Sequence, residues 1–463
     1  RKYKNVQLEQ LIDNLLPPPP KKEEKPTYKG RRNITTNQKT QSIQNITGTF
    51  KITQAKNLQS IQNEVIKDQR SGGYILKNYG DQLTNYEKQE IMQFNKIYYW
   101  GQKAIKKYNS QMDNYGYDDA RGDYLGTIKD HINYRYELIQ ILGQGSFGKV
   151  FRAFDHSTNS FVALKIVRNK KRFHRQGLVE VRILENLRKD DPDDTSNMLR
   201  ITHSFYFRSH LCITTELYGV NLYELLVRFN LKGLKQQTVK QICMQCLNAL
   251  CYSFNLNIIH ADLKPENILI EKEGSSNVRV IDWGSGAYVG QTIYTYIQSR
   301  FYRAPEVILG LQYSLPIDVW SLGGVFAELA VGQPIFPGED EHDQLGRICE
   351  YLGNPPVKML QQSQRTNEFF VNQKLRTKHR VGSKQIQQFL KGQPFEFVNL
   401  VEQMLVWDPQ FRPTPHQLVQ HQYFRGEEFK SKVLQAEVSH ETYQRGKVVN
   451  FIDPKSYGLP ELN

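Results

Sequence analysis

The spacing of hydrophobic and polar residues changes several times along the chain. Residues 1–70 are rich in Gln, Asn, Lys and Thr and contain four consecutive prolines, a composition that is poorly suited to packing a core and predicts disorder. Residues 71–135 bring large apolar side chains close together, so we expect a small ordered element that buries them against a larger body. The side chains concerned are Leu83, Tyr86, Ile91, Phe94, Ile97, Tyr98, Tyr99 and Trp100.

The pattern is that of β strands in residues 136–217 and mostly that of helices in residues 218–424. The segments YELIQILGQG, GKVFRAFDH, SFVALKIV and SHLCITTEL predict four strands. Apolar residues recur at helical spacing between Gly177 and Lys189, and again in QQTVKQICMQCLNALCYSF and PIDVWSLGGVFAELAVG. A β-rich part followed by a helix-rich part predicts an α+β fold with two lobes, and leaves residues 425–463 as a tail.

Composition narrows the class of protein. The 463 residues have a formal net charge of +14, but the cations are spread along the chain, so a solvated basic surface is favoured over a nucleic-acid site. Five scattered cysteines favour a reducing compartment, the cytoplasm or the nucleus. Cys243 and Cys246 form a C-x-x-C pair without a second ligand pair nearby, so core thiols are favoured over zinc. No apolar run approaches the ~20 residues that cross a bilayer, and we expect no membrane segment.

Four motifs carry groups suited to phosphoryl transfer, and the first is the glycine-rich loop GQGSFGKV. Gly143, Gly145 and Gly148 lack Cβ atoms, so backbone N–H groups can approach phosphate oxygens. A dinucleotide-binding turn has the same spacing but leads into a helix. Here a second strand follows, which favours a loop that covers the phosphates of a nucleotide.

The second motif is VALK, which ends at Lys165 on the third strand. A single lysine on a strand is usually a surface residue, but within this series its ammonium is predicted to bind the α- and β-phosphates of ATP. A carboxylate must then hold the ammonium in place. Glu180 of the following helix is predicted to do so, and Glu185 is the competing acid on a more exposed face.

The third and fourth motifs are HADLKPEN and DWGSG. Asp262 is predicted to accept or orient the proton of the acceptor hydroxyl, and Lys264 to contact the transferring phosphate. Asn267 and Asp282 are predicted to bind Mg²⁺. Standing alone, Asp282 would be a turn residue, and His260 is expected to be a packed structural residue.

Together with Ala304–Glu306, these motifs match the eukaryotic protein-kinase signature in order and spacing. The stretch IYTYIQSRFYRAPEVILG resembles the activation segment of the dual-specificity tyrosine-regulated kinases (the DYRK family, within the CMGC protein kinases), as do RNKKRFHRQ, PIDVWSLGG and GEDEHDQL. The resemblance covers roughly residues 74–424. Residues 79–108 and 114–125 resemble the accessory region of the class 2 members, which assists maturation. The resemblance implies the two-lobed kinase fold, with a β-rich N-lobe and a helical C-lobe.

The resemblance also implies an ATP site between the lobes and a protein substrate phosphorylated on Ser or Thr. Further nucleotide-binding residues that it implies are Ser146, Phe147, Val150, Ala163, Glu216, Tyr218 and Asn221. Glu224 and Glu266 match positions that attract an Arg upstream of the acceptor, and the related preference is a Pro after it. We expect a monomer that acts on protein substrates.

The resemblance implies autophosphorylation on Tyr296. Most kinases have an Arg before the catalytic Asp that binds a phosphate on the activation loop, but this chain has Ala261 there. Arg300 and Arg303 lie close to Tyr296 in the sequence and could form charge-assisted bonds with a phosphate on it. The alternative is that Tyr296 is a packed aromatic residue.

Several residues depart from the family pattern or act structurally. The family usually has Cys in place of Ala261 and Phe in place of Trp283 and Thr215; we expect Trp283 to fill the same apolar slot. The smaller Thr215 is expected to open the pocket behind the adenine. Glu306 is expected to pair with Arg412, and Asp318 to brace the catalytic loop through its backbone.

Three hypotheses about function remain. The first is an active kinase, and the second is a catalytically dead binding module with the kinase fold. Dead kinases usually lack the strand Lys, the catalytic Asp or the magnesium Asp, whereas Lys165, Asp262 and Asp282 are all present. The third is nucleic-acid binding by residues 1–70. The sequence favours the first.

Overall fold

The computed structural model describes residues 70–427, except 107, 108, 110, 292–294 and 372–373. The disorder predicted before Arg70 and the tail predicted beyond Glu427 therefore lie outside the described residues. Every helix in the described part of the chain is too short or too polar to cross a bilayer.

The first described elements are two short helices, α1 (Gly72–Tyr79) and α2 (Asn85–Glu90). Thr84 starts α2 with a capping box, since its hydroxyl accepts from the Glu87 N–H while the Glu87 carboxylate accepts from the Thr84 N–H. Their apolar residues pack on one face of the following sheet, as the crowding of aromatic residues predicts. The buried residues of this contact include Ile75, Leu83, Ile91, Ile97, Trp100, Tyr134, Leu138 and Phe151.

An antiparallel sheet of six strands forms the N-lobe, in the order β1-β2-β3-β4-β6-β5. Its strands are β1 (His131–Ile132), β2 (Tyr136–Gln144), β3 (Gly148–Asp155), β4 (Ser160–Val167), β5 (Ile201–Phe207) and β6 (His210–Glu216). The four predicted strands are confirmed. The sequence pattern did not predict β1, which has only two residues. It also missed β5, in which apolar and polar residues alternate weakly because the strand lies at the edge of the sheet.

Helix α3 (Lys171–Asp190) connects β4 to β5 across one face of the sheet. It begins six residues before the predicted helix, because Phe173, His174 and Gln176 are also buried. Arg188 and Lys189 lie in its last turn, where cations favour the helix dipole.

The C-lobe is mostly helical, which confirms the predicted α+β fold with a β-rich and a helical lobe. Its helices are α4 (Leu222–Arg228), α5 (Gln236–Asn255), α6 (Pro305–Ile308), α7 (Pro316–Val331), α8 (Glu341–Leu352), α9 (Val357–Gln362), α10 (Thr366–Phe369), α11 (Ile386–Phe389), α12 (Phe395–Met404) and α13 (Pro415–Leu418). Its short strands are β7 (Ile258–Ile259), β8 (Ile268–Ile270), β9 (Val278–Val280), β10 (Ala287–Tyr288), β11 (Phe370–Val371) and β12 (Lys374–Leu375).

Helix α7 is buried along almost its whole length in the C-lobe. It begins at Pro316 and ends at Gly332, whose φ of 92° suits glycine. Beside it, Arg412 donates to both carboxylate oxygens of Glu306, each at 2.6 Å, and both side chains are buried. The predicted pair of Glu306 and Arg412 is confirmed.

A buried group of charges joins α2 to the turn between β5 and β6. Arg208 in that turn lies 3.2 Å from the Glu87 carboxylate and 2.9 Å from that of Glu90. His131 Nε2 and Lys106 Nζ lie 2.9 and 2.8 Å from Glu87. Burial alone would raise the pKa of Glu87, but His131, Lys106 and Arg208 lower it, so the carboxylate stays charged.

We expect Arg208→Ala to lower the free energy of unfolding by about 3–5 kcal/mol, because Glu90 loses its counter-charge while buried. Urea unfolding at pH 7 measures this. The control is Arg228→Ala, which removes a cation that is 49% exposed and 4.0 Å from Glu273, and should cost no more than ~1 kcal/mol. Equal effects of the two substitutions would contradict the assignment.

Candidate active site

Three residues predicted to bind the nucleotide share one face of the N-lobe sheet with Thr215. Val150 pairs directly with Lys165, and Ala163 pairs directly with Thr215. Directly paired residues, and residues two apart on one strand, point to the same face. The sheet therefore brings these four side chains together, although they come from three strands.

The glycine-rich loop is the turn between β2 and β3, where the Gly145 N–H donates to the Gly148 carbonyl (2.9 Å). Gly148 has a φ of 146°, and a Cβ there would lie 2.1 Å from the Ile166 carbonyl oxygen, so only glycine fits. A Cβ at Gly143 or Gly145 would meet no described atom within 4 Å. Together with the exposed Ser146, these residues leave open space along the loop.

Lys165 lies between two carboxylates at the base of this space. Its Nζ is 2.7 and 2.9 Å from the two oxygens of Glu180 and 3.1 Å from Asp282 Oδ1. The Phe147 ring centroid lies 5.8 Å from the same Nζ. Burial alone would lower the pKa of Lys165, but Asp282 and Glu180 outweigh it and raise the pKa, so the ammonium is retained. Glu185, the competing acid, has no part in this contact.

Asp282 reaches Lys165 because the backbone turns sharply after β9. Asp282 itself has a φ of 60°, and the preceding Ile281 is anchored on both sides. Its N–H donates to the Asn267 carbonyl (2.9 Å), and its carbonyl accepts from His260 Nε2 (2.8 Å). Lys165 lowers the pKa of Asp282, whose side chain is 41% exposed and so remains open to a ligand.

Trp283 follows Asp282 and fills an apolar slot, as predicted. It is 1% exposed, and its ring lies 4.6 Å from that of His260. Its indole N–H, however, has no acceptor among the described residues. Phenylalanine at this position would leave no such donor.

The catalytic loop surrounds Asp262 with donors. Lys264 Nζ (2.7 Å) and Asn267 Nδ2 (3.2 Å) both donate to Oδ2. The Ser299 N–H (3.0 Å) and hydroxyl (2.7 Å) both donate to Oδ1. The same Lys264 ammonium donates to the Ser299 hydroxyl (3.0 Å). Asp262, Lys264 and Asn267 are thus held in one network with the activation segment.

Asp318 supports this loop from beneath, as predicted. Its carboxylate accepts the backbone N–H groups of His260 (2.6 Å) and Ala261 (2.9 Å). Burial raises the pKa of Asp318 to about 6. Ala261 has a φ of 61°, so the two bonds hold a conformation that L-residues adopt rarely.

The connection between the lobes contains the predicted hinge residues. The Tyr218 hydroxyl donates to the exposed Glu216 carboxylate (2.9 Å). Asn221 starts α4, and its side-chain oxygen accepts the Glu224 N–H (2.8 Å). The Asn221 oxygen is therefore engaged as a helix cap.

Tyr296 lies close to both predicted arginines. Arg303 stacks on its ring with 4.1 Å between the guanidinium carbon and the centroid. Arg303 contributes most to lowering the pKa of the Tyr296 hydroxyl, and Arg300 lowers it further. Tyr296 is 66% exposed, so the alternative that it is a packed aromatic residue is wrong.

The predicted substrate acids Glu224 and Glu266 are both exposed, and Glu266 directly precedes Asn267. A third acid, Glu328 on α7, accepts from the Tyr302 hydroxyl (2.6 Å). Burial raises the pKa of Glu328 to about 7, and Glu266 adds to the increase. The exposed carboxylates of Glu224 and Glu266 therefore place negative charge beside the catalytic loop, whereas Glu328 is buried.

Sequence reasoning missed Ser299, Glu328 and Gln298, whose carbonyl accepts from Arg303 Nη2 (2.8 Å). Ser299 is 37 residues from Asp262, and no motif spacing relates the two. Glu328 lies within the apolar run of α7, where a single acid could have signalled a function because unpaired acids are rarely buried. Gln298 gave no signal, since its left-handed backbone (φ 64°) is visible only in the structure.

Comparison with known proteins identifies the class of protein. The family model described as "Protein kinase domain" matches residues 136–424. The chain is therefore a member of the protein kinases.

Three similar proteins identify the family within the protein kinases. Dual specificity tyrosine-phosphorylation-regulated kinase 2 of Drosophila melanogaster is 45% identical over 76% of this chain and 50% of its own length. Dual specificity tyrosine-phosphorylation-regulated kinase 3 of Macaca fascicularis is 45% identical over 75% of this chain and 66% of its own length. Dual specificity tyrosine-phosphorylation-regulated kinase 4 of Homo sapiens is 44% identical over 75% of this chain and 68% of its own length. The chain belongs to the DYRK family of the CMGC protein kinases. It spans between half and about two thirds of the length of these relatives.

We expect Thr215→Phe to weaken the binding of bulky ATP-site inhibitors about tenfold or more, because Thr215 lies beside Ala163 on the nucleotide face. The KM for ATP should change little. Inhibitor titrations of both proteins measure the effect, with Thr215→Val as the control of matched size. Unchanged inhibition of Thr215→Phe would show that the pocket behind Thr215 is closed.

Proposed function

We propose that the chain is an active protein kinase that transfers the γ-phosphate of ATP to Ser or Thr of other proteins. The observation that carries the proposal is the contact of Lys165 with Glu180 and Asp282 beside Asp262. Dead kinases usually lack the strand Lys, the catalytic Asp or the magnesium Asp, whereas Lys165, Asp262 and Asp282 are all present here. Kinase relatives of the same family support the proposal.

The residues present fit ATP and Mg²⁺. The open space along Gly143 and Gly145 suits phosphates, and the Lys165 ammonium suits their charge. Asp282 and Asn267 offer the hard oxygen donors that Mg²⁺ prefers. Bound there, Mg²⁺ would neutralise phosphate charge. Val150 and Ala163 would line the adenine, and Glu216 and Tyr218 the connection beside it.

Asp262 is the group that would receive the proton of the acceptor hydroxyl. Its four hydrogen bonds fix both carboxylate oxygens, so the side chain is oriented before the substrate binds. Lys264 lies next to it and would stabilise charge on the transferring phosphate. The oxygen of the acceptor then forms the new bond to phosphorus while ADP leaves.

Autophosphorylation of Tyr296 is part of the proposal. A phosphate on this exposed hydroxyl would meet Arg303, which stacks on the ring, and Arg300. Such a phosphate would order the segment through one to three charge-assisted bonds. Ala261 supplies no cation for it, so these two arginines would have to suffice.

Two features of the site support a preferred substrate sequence. The Gln298 carbonyl, next to Ser299, already accepts from Arg303 Nη2 (2.8 Å) and Nε (3.3 Å), so a further N–H from the residue after the acceptor is disfavoured. Proline lacks that N–H and loses nothing. Upstream, an Arg of the substrate would neutralise the acids Glu224 and Glu266.

The last part of the proposal concerns the compartment, the oligomeric state and the partners of the protein. All five cysteines are buried free thiols, which supports the cytoplasm or the nucleus. We propose a monomer that acts on protein substrates without membrane or nucleic acid. The alternative function is a kinase-fold binding module without catalysis.

We expect Asp282→Asn and Lys165→Met each to lower phosphate transfer at least ~10²–10³-fold, because each removes a charge that acts on the phosphates. Incorporation of labelled phosphate into a basic protein measures transfer, and mass spectrometry of the purified chain measures phosphate on Tyr296. The control is Lys189→Met, which removes an exposed cation from the last turn of α3.

Substantial turnover by Asp282→Asn would overturn the proposal. A wild-type chain that binds ATP but transfers no phosphate to itself or to the substrate would support the binding module instead.

We expect Glu266→Ala to reduce the preference for Arg upstream of the acceptor about fivefold to tenfold, because the side chain is exposed and charged. The measurement is the ratio of kcat/KM for two peptides that differ only by Arg or Ala. Glu273→Ala, at another exposed acid, is the control. A ratio unaffected by Glu266→Ala would exclude this residue from substrate selection.

A further inference from the structure

Lys165 and Glu180 lie on two elements joined by a short loop. Strand β4 ends at Val167, two residues after Lys165, and α3 begins at Lys171. The position of residues 168–170 therefore decides where α3 starts and whether Glu180 meets Lys165.

A segment outside the kinase-domain match holds this loop. Asp123 accepts from Arg168 Nε (2.8 Å) and Nη2 (2.9 Å) as a bidentate pair. The Gly122 carbonyl accepts the Asn169 N–H (2.8 Å), and Asp118 accepts from Asn169 Nδ2 (2.9 Å). Asp123 is 0% exposed and Asp118 is 8% exposed, so both carboxylates make these contacts while buried.

The end of β4 is tied to the same segment through His210. Its Nε2 lies 2.6 Å from Asp118 Oδ1, and its Nδ1 lies 2.8 Å from the Val167 carbonyl. Both partners are oxygen acceptors, so the His210 ring links the end of β4 to Asp118.

The segment also contacts the glycine-rich loop. Asp123 Oδ2 accepts from Gln144 Nε2 (3.3 Å), and Gln144 lies between Gly143 and Gly145. The neighbouring Tyr124 carbonyl accepts from Lys149 Nζ (2.9 Å) on β3. One buried carboxylate thus touches both the loop that would cover the phosphates and the loop that leads into α3.

We propose that Asp123, with Asp118, is a positioning residue for nucleotide binding that holds the glycine-rich loop and the start of α3 in one arrangement around Lys165. The proposal rests on the proposed kinase function. It differs from transient help with maturation, because these contacts belong to the folded chain and act in every catalytic cycle.

The chain offers a matched control. Asp155 is 3% exposed and accepts a bidentate pair from Arg135 (2.8 and 2.6 Å) on the same sheet. It contacts neither the glycine-rich loop nor residues 168–170. Asp155→Asn therefore removes the same kind of charge without touching the proposed arrangement.

The test compares full-length Asp123→Asn and Asp155→Asn in preparations with equal phosphate on Tyr296. We expect Asp123→Asn to raise the KM for ATP and the Kd of a non-hydrolysable ATP analogue about tenfold. Amide hydrogen exchange should become faster in residues 143–150 and 168–180. Asp155→Asn should lower the melting temperature but leave the KM, the Kd and these exchange rates unchanged, and Asp123→Glu should recover part of the loss.

An unchanged KM and Kd in Asp123→Asn would mean that Asp123 is only structural. Equal changes in both variants would reflect general weakening of the lobe, and would also overturn the proposal. If Asp123→Asn does not fold, Arg168→Lys keeps the charge and removes the bidentate geometry, and the same criteria apply. Analogue binding and hydrogen exchange need no turnover, so an inactive wild-type chain would contradict the kinase function without deciding the role of Asp123.

Discussion

A buried ammonium between two carboxylates is the constraint on which the rest of the structure depends. Removing Lys165 from water costs several kcal/mol, and only close opposite charges offset that cost. Its partners Glu180 and Asp282 are 15 and 117 residues away in the chain. A strand, a helix and a loop from both lobes must therefore be placed together within a few ångströms, and the surrounding hydrogen bonds serve that placement.

The chain meets this demand with irregular backbone that is fixed by polar groups. Ala261, Asp282 and Gln298 all have positive φ values of 60–64° although none is glycine. A left-handed conformation costs such residues roughly 1–2 kcal/mol each. Each lies beside a strong anchor, for example Asp318 below Ala261 and Arg303 on the Gln298 carbonyl. Strain of this kind gathers at functional sites.

The sequence predicted the fold and the side chains that gather around Lys165 and Asp262. It could do so because the motifs that contain them combine local periodicity with charged groups of well-known chemistry. Prediction from the sequence failed for features that depend on contacts between residues distant in the chain. Strand β5 has weak alternation because an edge strand is only partly buried, and Ser299 reaches Asp262 through a turn of the activation segment. Asp123 lies in the segment that resembles the accessory region, but its contacts could not be predicted, since its partners Arg168 and Gln144 lie 45 and 21 residues away and no motif spacing relates them.

The unpaired indole of Trp283 affects the energetic balance of the segment that carries Asp282. A buried donor without an acceptor costs about 1–3 kcal/mol, and Phe would carry no such cost. Apolar packing of the ring, which is 1% exposed and lies 4.6 Å from the His260 ring, must offset that cost. The segment that carries Asp282 is therefore held by the fit of a large ring rather than by a hydrogen bond from that ring, so its position depends on the shape of the slot.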